Sequence, residues 1–160
     1  EAGEAARTAE RRVMARVIFE KRDGKYDAMF VERAGALEEI ACPKQPPIPH
    51  DMFHYAIERT LEMRGFIHRA AAGEGVGFRM THEAESEAVE RLVETMQADS
   101  WSGRPPESEV IDLFHTTCDA RGTEPIALTE DAIVAIRSEI DRLAAEWSAL
   151  PTRGRMVLEI

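Results

Sequence analysis

In the run Arg12-Val13-Met14-Ala15-Arg16-Val17-Ile18-Phe19-Glu20-Lys21-Arg22-Asp23-Gly24-Lys25-Tyr26-Asp27-Ala28-Met29-Phe30-Val31-Glu32, the side chains alternate with period two on both sides of Asp23-Gly24. Before the break, Val13, Ala15, Val17 and Phe19 share one face, and Met14, Arg16, Ile18 and Glu20 the other. After it, Tyr26, Ala28, Phe30 and Glu32 oppose Asp27, Met29 and Val31. Period two belongs to strands, because successive Cβ atoms point to opposite faces of a sheet. Asp-Gly between two such runs predicts a hairpin closed by a type I′ turn, whose two central residues both need positive φ. A second break at Ala34-Gly35 predicts a third strand over Ala36 to Ala41.

Outward from this hairpin the pattern changes. Residues 1–11 mix charge and alanine without an apolar stripe and read as an arm, which leaves 12–160 as one domain. Cys42 to Pro49 carries four prolines in eight residues, a connector that offers few backbone donors. A helix is expected from His50 to Arg64, ending at Gly65, and a short one from Phe66 to Ala72, ending at Gly73. Gly73, Gly75 and Gly77 follow a helix rather than a strand and alternate with Glu74 and Val76, so they read as a turn and not as a phosphate cradle. Thr81 is the expected cap of a helix running to Ala98, with Val89, Leu92, Val93 and Met96 inward. Glu83, Glu85, Glu87, Glu90, Glu94 and Asp99 are expected on its solvated side. Glu107 to Arg121 reads as the next helix, closed by Gly122, with Val110, Ile111, Phe114 and Cys118 inward. Thr129 caps the last, Glu130 to Leu150, along which Ile133, Ile136, Ile140, Leu143, Trp147 and Leu150 form a heptad-like seam. That seam calls for a long partner: the 81–98 helix of the same chain, or a second copy, making a homo-oligomer through the 130–150 helix. Arg155 to Ile160 reads as a strand able to join the hairpin. The expected fold is therefore α+β, a small antiparallel sheet packed against four or five helices.

The 160 residues carry a formal charge of −10, and its location matters. Residues 1–33 hold 8 basic and 7 acidic side chains, so the negative charge belongs to the helical part. A protein that tracks phosphates needs clustered Lys and Arg, which argues against a nucleic-acid partner. No apolar run is long enough to span a bilayer, and residues 1–12 lack the apolar core of a secretory signal. Cys42 and Cys118 do not form a disulfide framework or half of a paired-cysteine zinc site. These features predict a soluble protein of the reducing cytoplasm, with no membrane partner.

Functional side chains concentrate in Pro49-His50-Asp51-Met52-Phe53-His54-Tyr55-Ala56-Ile57-Glu58. On a helix, His50, His54, Glu58, Asp51 and Tyr55 fall on one arc, bordering the apolar face of Phe53, Ile57 and Leu61. Two chemistries fit. His50, His54 and Glu58, at i, i+4 and i+8, supply imidazole and carboxylate ligands to a divalent metal, completed by His68, His82, His115 or Cys118. Alternatively, Asp51 or Glu58 orients one nitrogen of His54 and leaves the other for proton transfer or ligand binding, so that His54, Asp51 and Glu58 form a catalytic group. A third reading needs no site: Asp51 favours the helix dipole, His54 and Glu58 make an ordinary i, i+4 pair, and the arc is the polar face of an amphipathic helix.

Two enzyme families share fragments of the pattern. HD-type metal phosphohydrolases need a histidine before the His-Asp doublet, and His50 is the first histidine of the chain. The zinc-protease motif HExxH has the histidine spacing of His50 and His54 but a glutamate where Asp51 stands. The segment resembles a group of uncharacterised bacterial proteins with a proline and His-Asp, then His-Tyr and Glu, then Gly-Phe and a further glycine. Here those are Pro49, His50, Asp51, His54, Tyr55, Glu58, Gly65, Phe66 and Gly73. The resemblance implies a shared fold and no known activity. Two functions follow as expectations: an interaction or self-association module using the heptad seam, or a small-molecule- or metal-binding protein or enzyme using the histidine cluster.

Overall fold

The computed structural model of the chain describes residues 16–33, 35–63, 65, 67 and 84–160. Three strands come first, β1 (Arg16–Glu20), β2 (Tyr26–Arg33) and β3 (Ala36–Pro43). Among the described residues four long helices follow, α1 (His50–Leu61), α2 (Ala84–Trp101), α3 (Glu107–Arg121) and α4 (Glu130–Ala149), and then β4 (Arg155–Glu159). The protein is thus α+β, with an antiparallel sheet in the order β3-β2-β1-β4. The expected arm, the 66–72 helix, the 73–77 glycines, Thr81, His68 and His82 lie outside the described residues.

The alternation of β1 and β2 sets the register. Val17 pairs with Val31 and Phe19 with Met29, while on the other side Val17 meets Leu158 and Phe19 meets Met156. All six side chains are buried and form the sheet's contribution to the core. On the opposite face, the Phe30 ring carries the guanidinium groups of Arg22 and Arg155 at 5.6 and 5.0 Å. Glu20 binds the same two arginines at 2.7 and 3.0 Å. Pro43 sits at the end of edge strand β3, where a missing backbone donor is tolerated.

The turn between β1 and β2 differs from the two-residue type I′ form. Gly24 has positive φ (85°) and Asp23 does not, and the last β1–β2 pair is Glu20 with Ala28, so residues 21–27 lie between the paired positions. The cause is competition for Lys21. Its N–H donates to Gly154 O and its carbonyl accepts from Arg153 N, which draws the end of β1 toward the β4 entrance. Asp27 then caps the wider loop by accepting from Arg22 N at 2.8 Å.

The helices close a ring in which α1 packs on α2 and α4, and α3 on α2 and α4, with α1 also touching β3. Seam residues Ile133, Ile136, Ile140, Leu143 and Trp147 are all buried. The helix that carries them packs mainly on α1 and α3 rather than on the expected 81–98 helix, which it meets through the Arg137–Asp99 pair. The seam is thereby occupied without a second copy. Thr129 caps α4 through Ala132 N as expected, and Gly122 ends α3 in the left-handed conformation.

Two further expectations are corrected. The first helix stops at Leu61, with Glu62 in the left-handed conformation, rather than at Gly65. Asp99, expected on a solvated face, is 1% exposed and pairs with Arg137 through both carboxylate oxygens, at 2.7 and 3.0 Å.

Candidate functional site

Pro49 in extended conformation turns the connector into α1, which places His50 at the first helical position and Asp51 beside it. The helix is buried along Asp51 to Glu58, because it is enclosed by β3, α2 and α4. The arc of polar side chains is therefore not a solvated face. His54 is 2% exposed, Asp51 8% and Glu58 0%, while His50 is half-buried. Polar groups brought this far inside must be satisfied by partners, and their partners define the site.

Glu58 is held by backbone. Gly65 N donates to Oε1 at 2.9 Å and Ile67 N to Oε2 at 3.2 Å, so the carboxylate ties the chain after α1 back onto the helix. Gly65 is required there, since a Cβ would stand 2.8 Å from both Glu58 Cδ and Val89 Cγ1. This close approach, and not a helix end, is the reason for glycine at 65.

His54 lies between acids. Its Nδ1 is 3.6 Å from Glu58 Oε2 and its Nε2 is 3.4 Å from Oε1 of Glu90 on α2. Burial alone would push the imidazole pKa down, but the Glu58 carboxylate facing Nδ1, together with the charges of Glu90 and Asp51, outweighs it and holds it above the ordinary histidine value. The pocket around His54 therefore favours a positive charge. With a carboxylate facing each ring nitrogen, His54 has neither nitrogen turned to open solvent.

His50, Asp51 and His54 come together. Each offers a ligand atom, and these atoms lie within 4.8 Å of one another. Asp51 thus takes the place beside the two histidines that spacing alone assigned to Glu58. Ligand atoms on one zinc-like ion stand roughly 3–3.5 Å apart, given bonds of about 2.0–2.2 Å, so the three would have to draw closer to share one. Neither His115 nor Cys118 belongs to this group: His115 is exposed on α3 against the Phe114 ring, and Cys118 is buried in the core.

Two surrounding residues went unforeseen. The Cys42 thiol on β3 is hydrogen-bonded to Asp51, and burial together with that carboxylate pushes its pKa up, which keeps it a neutral thiol. Gln97 on α2, 8% exposed, sets Nε2 at 2.9 Å from Nδ1 of His50 and donates to Gln45 Oε1 at 2.5 Å. Gln97 was detectable in principle, because position 97 lies on the Val89–Val93 stripe, where a polar side chain must be buried. The Cys42 contact joins residues from separate elements and has no local signal.

Comparison with protein-family models, curated proteins and solved structures finds no match. Among the described residues, no helix is long and apolar enough to cross a membrane.

Proposed function

We propose that this protein binds a divalent transition-metal ion through His50, Asp51 and His54 at the start of α1. The observation that carries the reading is the convergence of two imidazoles and a carboxylate within 4.8 Å, with Asp51 and His54 buried and His50 half-buried. Electrostatics support it. Asp51, Glu58 and Glu90 surround His54, and a divalent ion offsets carboxylate charge that is costly to leave uncompensated in a low-dielectric site. Two nitrogen donors and one oxygen donor suit zinc, iron, cobalt or nickel better than magnesium or calcium, which prefer all-oxygen shells. Three protein ligands also leave a position for water or a small ligand. Glu58 serves this site as a second-layer carboxylate and not as a ligand, since both its oxygens accept from backbone N–H groups.

Self-association through the 130–150 helix is the weaker reading, because the apolar seam that motivated it is packed into the core. The two free, buried thiols accord with a reducing, cytoplasmic setting. The signature shared with the bacterial group would mark this same metal site in its members.

Elemental analysis of protein purified without chelator tests the reading. The expected result is about one equivalent of a first-row transition metal, lost in His50→Ala and in Asp51→Asn with helical circular dichroism retained. Metal content equal in wild type and both variants would show that the ion binds elsewhere and would remove the proposal.

A further inference from the structure

A histidine can give a lone pair to a metal from only one nitrogen, and whatever holds the other nitrogen decides which one is available. For His50 that partner is Gln97. The Gln97 amide nitrogen has two hydrogens, one directed to Gln45 Oε1 and one to Nδ1 of His50. In this arrangement Nδ1 accepts, so the proton of a neutral His50 sits on Nε2 and blocks that nitrogen as a ligand.

An amide turned half a revolution about its Cγ–Cδ bond exchanges oxygen for nitrogen with almost no change of shape. Gln97 Oε1 would then face His50 and accept from Nδ1–H, which moves the lone pair to Nε2. Gln45 satisfies the turned amide by the same half turn, offering its own NH2 where its oxygen stood. The Gln97–Gln45 and Gln97–His50 bonds can thus be made in both states, which differ in which nitrogen of His50 is free. The surroundings keep both glutamines in place. Trp101 Nε1 donates to Pro46 O at 2.8 Å, pinning the connector that bears Gln45 onto the helix that bears Gln97, and Ile48 is completely buried beside them.

We propose that Gln97, backed by Gln45, is the positioning residue of the metal site, and that its amide turns over to hold His50 in the tautomer that binds through Nε2. The proposal rests on the metal reading above. No proton is gained or lost by the amides. The Nε2 proton moves to Nδ1 by exchange with solvent, and the hydrogen-bond count is unchanged.

Zinc(II) alone is the probe. Its affinity is measured by competition with a chelating dye, and ¹⁵N shifts of the His50 ring report the tautomer with and without zinc. In wild type the protonated nitrogen is expected to move from Nε2 to Nδ1 on zinc addition. Gln97→Leu is expected to weaken zinc binding about tenfold or more, the range typical of outer-layer partners. Gln97→Glu, an acceptor in either orientation, is expected to retain it. Gln45→Ala, on the partly exposed connector, is expected to weaken it by a smaller factor and tests the relay should Gln97→Leu fold poorly. Failure of wild type to bind zinc would overturn the metal reading and this inference with it. Wild-type binding with no change of His50 tautomer, or with Gln97→Leu and Gln45→Ala both matching wild type, would overturn the role of Gln97 and leave the metal reading standing.

Discussion

Gly65 and Glu58 show how one missing side chain organises the surroundings of the site. The glycine lets two backbone N–H groups reach a fully buried carboxylate, and that carboxylate faces His54. Gly65→Ala is expected to cost about 1–3 kcal/mol, since Glu58 Cδ and Val89 Cγ1 both stand 2.8 Å from the new Cβ and neither belongs to a freely moving chain end. The midpoint of urea unfolding measures it, and a midpoint unchanged from wild type would mean the niche is looser than described. Sequence marked Gly65 as special for the wrong reason. A helix stop and a close approach both ask for glycine, and only the fold distinguishes them. His50, Asp51, His54 and Glu58 were all legible as a group because they fall on one helical arc. Which three converge was not, since that depends on how α2 and the chain after α1 pack around them.

At the scale of elements, the unforeseen contribution is a buried ion pair that fixes α2 to α4. Arg137 grips Asp99 with two nitrogens, reaches Glu107 at 3.1 Å and donates to Pro105 O, joining α2, α3 and the loop between them to α4. Removing one partner strands the other charge inside, so Arg137→Ala is expected to destabilise the fold by about 3–5 kcal/mol, while a matched Asp99→Leu/Arg137→Met pair should recover much of the loss. Equal stabilities for the single and double variants would contradict this. The Asp99 side chain looked solvated because six acids in one helix suggest a wet face, and nothing local tells which of them meets an arginine 38 positions away. The strand and helix limits were more accessible. Alternation, Thr129, Gly122 and Pro106 act within a few residues of the ends they define. The hairpin turn was misjudged because Lys21 is claimed by the β4 entrance, a long-range competitor. Two carboxylate–arginine pairings give a second check at this scale. Arg104 holds the Asp141 carboxyl below the ordinary range, and Arg22 with Arg155 does the same for Glu20. A carboxylate with a depressed folded pKa contributes stability above its unfolded value near 4 and loses it as pH falls through the folded value. The thermal midpoint is therefore expected to drop as pH falls below about 4, and the drop should be shallower in a Glu20→Gln/Asp141→Asn variant. An identical pH slope would contradict the pairing.

For the molecule as a whole, the formal charge of −10 acquires a place and a use. The helical part carries it, and part of it lies around His54, where Asp51, Glu58 and Glu90 face the ring. A field of that sign draws cations and repels phosphates, which agrees with a metal ion as the partner. The α+β class was legible from the hairpin and the closing strand because both signals are strictly periodic. The ring of helices was not, since period alone cannot say that α4 meets α1 and α3 in preference to α2. The central claim is that His50, Asp51 and His54 share one ion, and cobalt(II) titration at neutral pH followed by visible absorption tests it most directly. Saturation at one equivalent is predicted, with d–d bands shifted and intensified relative to aqueous cobalt(II) and absent from His50→Ala. A spectrum that stays that of the aqueous ion through several equivalents would contradict the claim.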